Sequence, residues 1–469
     1  MFKPVQLPCA AVVFLLALSG AGAGPQAAQP SGEAAVTNLP ALPRGLVLPL
    51  TNAPAVSPTN VPAVTPPAAA ADEAVGDPDA PSVYEDIALL TEAMLMVRRH
   101  YVDELAYRDI VYSALHGMLS TLDPHSAFLE PRQTGDLKED TEARFVGIGI
   151  EMGMRNGLPL VIAPIEDSPA QHAGILSGDA ILAIEGQPAH MLSLDQVVKR
   201  LRGLPGTSVR VTVGRDGKDP FDVTLVRDQI RVSSVKGVRV LDGRIGYLRV
   251  TQFSAPTGGE VARALATLTT NDLIGMVLDL RDNPGGLLDQ AIAVAAPFLR
   301  DKTVIVTTRG REGSVPAETF RAEGKRKRVD LPLAVLINRG TASAAEIVTG
   351  ALQDAGRAII IGEKSFGKAS VQKILPLATR ENCTVKLTTA HYYTPKGRQI
   401  HGSGIVPDIV VPLLPSVWRL VQTRRAYEER PEAYPPSERQ ALPGAVDTQL
   451  QRAVDVLTGV HVFGSARQP

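Results

Sequence analysis

The stretch LAVLINRGTASAAEIVTGALQDAGRAIII, residues 333–361, decides the fold. Its two apolar runs, LAVLIN and AIII, lack the polar alternation of a half-exposed strand and read as strands buried on both faces. Between them SAAEIVTGALQDA reads as a helix. The same texture fills the chain beyond 231. IGYLRV, GMVLDLR and TVIVTTR are further buried strands, and GEVARALATL and GLLDQAIAVAAPFL are further helices. Strand and helix alternating in this way predict a mostly parallel sheet covered by helices.

Upstream the texture changes. Between about 144 and 230 FVGIGIEM, LPLVIAPI, AILAIEGQ, VRVTVGR and FDVTLVR are short strand candidates, with SPAQHAGI and LDQVVKRLRG as two helical pieces. Two helices on a small barrel, with a glycine-containing loop before the first strand, resemble a PDZ domain. The residues that carry the likeness are Gly147-Ile148-Gly149-Ile150, Ser168-Pro169-Ala170, Ala173-Gly174, Gly178-Asp179 and Ile184-Glu185-Gly186. Such a domain captures a peptide C-terminus as an added strand, its loop amides holding the carboxylate. Earlier still, Ile87, Leu90, Met94, Val97 and Tyr101 fall at helical spacing, and a second helix covers roughly 108–120 before Pro124 breaks it. Asp123, His125 and Ser126 of LDPHS are too close in sequence to converge as a triad and read as a turn. After 416 the chain turns polar, with a final helix near 447–458.

The first residues, MFKPVQLPCAAVVFLLALSGAGA, have an early lysine, a short apolar run and an Ala21-Gly22-Ala23 cleavage signature, which predicts a secretory signal peptide. The apolar run is too short for a membrane span, and no second segment is long enough. Removing 23 residues of 469 leaves 446, enough for about three domains of ~150 residues. Only Cys383 would then remain, so no internal disulfide can form, which suits a bacterial periplasm. A net charge of −1 predicts no broad nucleic-acid surface. The one basic cluster, Lys325 to Arg328, reads as a solvated turn. Residues 24–82, rich in Ala and Pro, read as a tether.

Ser343 poses the chemical question. Followed by Glu346 it forms S-x-x-E, the capping box that opens many helices, and no histidine stands near it in sequence. If it is a nucleophile, its base must come from elsewhere, and Lys364, Lys368 and Lys373 lie downstream. A desolvated lysine can activate a serine. At its reference pKa of ~10.4 a lysine is neutral about once in 2,500 molecules at pH 7, so a pKa some three units lower, at a cost of ~4 kcal/mol in lost charge stabilisation, is required. Read as a strand from Lys368, the run K-A-S-V-Q-K-I puts Lys368, Ser370, Gln372 and Ile374 on one face. Lys373 then points away, and Lys364 sits in a turn. Lys368 thereby gains a same-face amide, Gln372, able to orient it. The amide of Ala344, next to Ser343, is one candidate donor for an oxyanion hole.

T-A-S-A-A-E-I followed by F-G-K-A-S-V-Q resembles the active-site segments of the C-terminal processing peptidases, or tail-specific proteases. These have a serine, a lysine 25 residues later and a glutamine four beyond, as at 343, 368 and 372. YVDEL (101–105), LDPHS (122–126), LDLRDNPGGLL (278–288), YYTPKGRQI (392–400) and GIVPDI (404–409) match as well. Ala344-Ala345 stands where Ala-Ser is more usual. The likeness runs from about 84 to 413.

The resemblance implies an α/β (α+β multidomain) chain with a crotonase-like, ClpP-like protease core, an inserted PDZ-like β-barrel and a helical N-terminal region. The expected parts are a signal peptide (1–23), the tether (24–82), N-terminal helices (83–140), the PDZ-like domain (141–230), the protease core (231–415) and a C-terminal tail with a helix (416–469). It implies catalysis by Ser343, Lys368 and Gln372, and a second oxyanion amide from Gly285 or Gly286, with Gly286 preferred. Substrate tails would meet Gly147, Ile148, Gly149, Ile150 and Arg202. The partners would be protein or peptide substrates with free C-termini, and dimers or an adaptor protein are common in the family. No metal or organic cofactor is expected. The competing expectation is a PDZ peptide-binding scaffold with an inert core. A hydratase of similar sheet architecture would need an acyl-CoA site, for which there is no signature.

Overall fold

A computed structural model describes residues 82–429 and 446–465, apart from 156, 166, 216, 314, 324–327 and 381. The expected signal peptide and nearly all of the tether lie outside the described residues, as do Lys325–Lys327 of the basic cluster. Arg328 of that cluster pairs with Asp330.

The chain divides into two compact units at Ile110/Val111. In the first, α1 (Val83–His100) opens with a capping box between Ser82 and Glu85. Its expected apolar stripe is present, but Ile87, Leu90 and Val97 are exposed. Helix α2 (Tyr107–Ser120) crosses the division.

In the second unit, β1 (Ala127–Leu129) and α3 (Pro131–Glu142) follow. The expected strand FVGIGIEM is in fact two. Strand β2 (Arg144–Gly147) pairs with β9 (Asp228–Arg231), whereas β3 (Ile150–Arg155) pairs with β4 (Leu158–Pro164). Gly149, at φ 75°, turns the chain between them, a backbone state open to glycine. Helix α4 (Pro169–His172), β5 (Ala180–Ile184), β6 (Gln187–Pro188), α5 (Leu194–Leu201), β7 (Ser208–Gly214) and β8 (Phe221–Val226) complete this domain. The sheet runs β3-β4-β5-β7-β8, with β6 beside β5, so β3 is an edge strand. Val161, Ile181, Val197, Leu201, Val209 and Val211 form its core; alternate residues of β4 and β7 face in, while a bulge in β5 spaces the inward Ile181 and Ile184 by three.

A second six-stranded sheet has the order β10 (Val235–Leu241), β11 (Ile245–Val250), β12 (Gly275–Asp279), β15 (Leu333–Ile337), β16 (Ile359–Gly362) and β19 (Ile409–Val410). From β11 to β19 every pairing is parallel, as the alternation predicts. Helices α6 (Thr257–Leu268), α7 (Leu288–Ala295) and α8 (Ala344–Asp354) cover one face. Leu333, Val335 and Ile337 pack with them, while Ala334 and Leu336 face the last helix through Ala453 and Leu457. Both faces are covered, which is why LAVLI shows no polar alternation.

TVIVTTR, expected beside these strands, lies elsewhere. It is β13 (Val304–Gly310), in another sheet with β14 (Glu318–Arg321), β17 (Ser370–Pro376), β18 (Thr384–Tyr393) and β1. That sheet is antiparallel throughout and brings LDPHS, just before β1, against β18 through Ser126 and Thr388. Where a polar tail is expected, α9 (Pro415–Glu429) precedes the final helix α10 (Thr448–Ser465). Its few apolar residues hid it.

Candidate active site

Strand β15 ends at Ile337 and α8 begins at Ala344, so Ser343 stands at the joint, with φ 54° and ψ −118°. A non-glycine residue enters such a state at a cost of ~1–3 kcal/mol and stays there only if its surroundings over-determine it. They do so here. The Ser343 amide donates to Glu346 Oε2 at 2.8 Å, and its carbonyl accepts from the Tyr392 hydroxyl at 3.0 Å.

Glu346 is fully buried and gathers four donors. Oε1 accepts from Ser365 Oγ (2.6 Å) and the Gly367 amide (2.7 Å), and Oε2 accepts from the amides of Lys368 and Ser343, each at 2.8 Å. Burial pushes its carboxyl above the ordinary range, with these hydrogen bonds pulling the other way. Tyr392 adds a second tie, its one hydroxyl proton shared between the carbonyls of Ser343 and Lys368. Segments 25 residues apart in sequence are thus joined through one carboxylate and one phenol. Neither residue's part in joining Ser343 to Lys368 is legible in the sequence. Glu346 was visible as the last letter of S-x-x-E, but that spacing signals only a helix cap.

Lys368 is half-buried, whereas Lys364 and Lys373 are exposed. Burial lowers the Lys368 pKa, as does the charge of Lys386, with Asp123 and Glu346 opposing. The face argument from strand periodicity needs correction. Strand β17 starts only at Ser370, and a bulge falls between Val371 and Gln372. Gln372 still shares a side with Ser370, donating to Ser370 Oγ at 2.9 Å and to Thr388 Oγ1 at 3.2 Å. Its amide nitrogen is therefore spent on hydroxyls, which leaves the carbonyl oxygen as the atom with which it could face an amine.

LDPHS is a turn, as expected. Asp123 accepts from the amides of His125 (2.7 Å) and Ser126 (2.9 Å) and from Ser126 Oγ (2.6 Å). Burial opposes the ionised Asp123, but these bonds hold its pKa below the usual value. The turn also lies within the electrostatic reach of Lys368, since burial first and the Lys368 charge second depress the His125 pKa. Ser126 Oγ accepts from the Thr388 amide and pins the turn to β18.

Across from Ser343 the chain leaves β12 through Asp282-Asn283-Pro284-Gly285-Gly286. A side chain at Gly285 would fall 2.7 Å from Ser343 Cβ and 2.8 Å from the Ala344 nitrogen, so only glycine fits there. The Gly285 amide is occupied, donating to Asn283 Oδ1 at 2.9 Å. Gly286 forms a parallel bridge with Phe253, in which the bonds are Phe253 N to Gly285 O and Leu287 N to Phe253 O. In that pattern the Gly286 amide points away from Phe253.

In the small domain Ile148 is buried, its carbonyl accepting from Ala170 N, and the Gly149 carbonyl accepts from Ile165 N and Ser168 Oγ. The C-terminal end of α5 abuts Gly147 through Leu201 O. Arg202 caps that helix, but its guanidinium turns to α3, reaching Glu139 Oε2 at 3.2 Å and lying 4.9 Å from the centre of the Phe145 ring. Among the described residues no cluster of three or more His, Cys, Asp or Glu could hold a metal, and no helix is long and apolar enough to cross a membrane.

A model of peptidase family S41 matches residues 244–411, and a PDZ-domain model matches 160–215. The chain is 45% identical to a carboxy-terminal-processing protease of Bartonella bacilliformis over 337 residues, covering 70% of this chain and 76% of that protein. It is 36% identical over 411 residues to a carboxyl-terminal-processing protease of Synechocystis, covering 81% and 89%. Among solved structures, a photosystem II D1 C-terminal processing protease is 29% identical, with 69% of this chain and 92% of that one covered and a TM-score of 0.41.

Proposed function

The chain belongs to peptidase family S41 as a C-terminal-processing serine protease with a PDZ domain, and from that premise we propose that Ser343 is its nucleophile and Lys368 its general base. The observation that carries this assignment is the shared carboxylate oxygen of Glu346, which accepts from the amides of both residues. Ser343 Oγ attacks the scissile carbonyl carbon, and its proton passes to the neutral Lys368 amine. The resulting ammonium returns that proton to the leaving nitrogen as the C–N bond breaks. Water then hydrolyses the acyl-serine with Lys368 again as base. Burial and Lys386 favour the neutral amine that both steps require.

The developing oxyanion would be met by the amides of Ala344 and Gly286. Gly285 is better suited to close approach, because its own amide is taken by Asn283. Gln372 would steady Lys368 through its carbonyl oxygen. A substrate tail would add to β3, the free sheet edge, with its carboxylate at Gly147–Ile150 and Arg202 available once released from Glu139. The parallel sheet with a serine-bearing strand–helix joint is consistent with a crotonase-like core. Export to the periplasm through the signal peptide expected at 1–23 is part of the same proposal, and fractionation of cells expressing the full chain would test it.

Purified chain and a substrate with a free C-terminus test the dyad. Ser343→Ala and Lys368→Ala should each reduce cleavage below detection with the fold intact, and Lys364→Ala and Lys373→Ala should stay within about twofold of wild type. An active Lys368→Ala beside a dead Lys364→Ala would refute the assignment of the base.

A further inference from the structure

Helix α9 meets the turn that carries Gly285 and Gly286 at Asp282. Its Oδ2 accepts from Trp418 Nε1 at 3.0 Å and from Gln422 Nε2 at 2.7 Å, both on α9. Its Oδ1 accepts from Asn338 Nδ2 at 2.7 Å, and its amide donates to Asn338 Oδ1 at 2.8 Å. Asp282 therefore stands between α9 and the two turns that meet at Ser343. On one side it begins the turn to Gly285 and Gly286. On the other, Asn338 Oδ1 also accepts from the Gly340 amide, and Asn338 lies five residues before Ser343.

Asp282 has φ 57°, a conformation that needs outside support in a non-glycine residue. The neighbouring contacts point the same way. The Arg281 guanidinium lies 4.7 Å from the centre of the Trp418 ring and bonds to Asp447, just before α10. The whole exit of β12 is thus gripped by the C-terminal helices.

We infer that Trp418 and Gln422 are positioning residues for the reaction: through Asp282 they hold the Asp282–Gly286 turn, and with it the Gly286 amide, at the place where the oxyanion develops. This rests on the dyad and oxyanion assignment above. A held donor matters most in the transition state, because charge on the oxygen appears only there. Tail binding, in the reading proposed above, is made at β3 and the Gly147–Ile150 loop, away from this turn.

The test uses the full chain with Gln422→Met, which removes one donor at similar volume, and with Trp418→Phe, which removes the indole N–H and keeps a ring beneath Arg281. Removing an oxyanion donor outright costs a hundredfold or more in kcat, so loosening one should cost about tenfold. Each variant should lose about tenfold in kcat with KM within about twofold. Affinity for a peptidyl boronic acid, whose tetrahedral adduct on the serine puts an oxygen in the same place, should fall by the same factor. Adding Gln422→Met to Asp282→Ala should cost no further rate. If Trp418→Phe loses its cooperative melting transition, Gln422→Met carries the test alone. A change confined to KM, an unchanged boronate affinity, or full multiplication of the effect in the Asp282→Ala background would overturn the role. Cleavage by Ser343→Ala, or boronate binding that survives in it, would instead sink the nucleophile assignment; variants that behave as wild type beside a dead Ser343→Ala would sink only the positioning role.

Discussion

Ser343 and Arg202 are both held by a glutamate, and the two glutamates could hardly differ more. Glu346 is fully buried and accepts four hydrogen bonds, two of them from the backbone amides of Ser343 and Lys368. Glu139 is partly exposed and makes one ion pair, with Arg202 at 3.2 Å, in which both side chains keep more than a third of their surface in water. A buried donor that loses its acceptor costs ~1–3 kcal/mol, whereas an exposed ion pair contributes ~0–1 kcal/mol. The site assigned to chemistry is therefore fixed by contacts that cannot be exchanged cheaply. The site assigned to tail reading is held by a contact that a peptide carboxylate can replace at little cost, by offering the guanidinium an equivalent partner.

The comparison is broken most severely at Glu346. Glu346→Ala strands four donors, so it should abolish cleavage and lower unfolding free energy by at least ~3 kcal/mol, as measured by urea denaturation. Glu346→Gln keeps the volume but turns an NH2 group towards donors, and it should still lose more than about a hundredfold in rate. Wild-type turnover in Glu346→Gln would mean that the staple does not set the geometry.

Tyr392→Phe removes only the second tie. With the four bonds to Glu346 intact, a loss of about tenfold in kcat is expected, with the fold retained. A larger loss than in Glu346→Gln would reverse the ranking of the two ties.

The smallest effects belong to the other site. Arg202→Ala should slow cleavage of tailed substrates a few-fold more than substitution of its exposed neighbour on α5, Arg200→Ala, does. Amidating the substrate's C-terminus should slow the wild-type enzyme markedly but Arg202→Ala hardly at all. Glu139→Ala, which frees the guanidinium, should leave cleavage unchanged or faster. Equal slowing of wild type and Arg202→Ala by amidation would remove Arg202 from tail reading.

Much of this architecture was legible in the sequence, and the limits are physical. The parallel sheet could be read because both of its faces are buried, which leaves an unbroken apolar run in each strand, as in LAVLI. The antiparallel sheet could not, because the apolar run Val304–Val306 of TVIVTTR reads as a buried strand too, and nothing local says which sheet a strand joins. Helix α9 was missed for the opposite reason: Val421 is its one buried residue, and its hold on the molecule is polar, through Trp418, Gln422 and Glu429. At the site, Ser343 and Lys368 stand out in the sequence through the resemblance to C-terminal processing peptidases, whose serine and lysine are 25 residues apart. Their physical link runs through Glu346 and Tyr392, and a hydrogen bond to a backbone amide leaves no trace in side-chain patterning. Strand periodicity placed Gln372 beside Ser370 but was extended two residues too far when it included Lys368.

The claim on which all of this depends is that Lys368 works as a neutral amine. It can be measured directly as the pH dependence of kcat/KM for the intact chain, from about pH 5 to pH 10, on a substrate with no titrating group in that range. Burial and Lys386 hold the free-enzyme pKa of Lys368 below that of an ordinary lysine, so deprotonation, and with it activity, should increase with pH along one limb whose midpoint lies below ~10.4. Removing the positive charge of Lys386 by Lys386→Met should move that midpoint upward, towards the ordinary value. A profile flat across the range, or a midpoint indifferent to Lys386→Met, would contradict the assignment of Lys368 as the base.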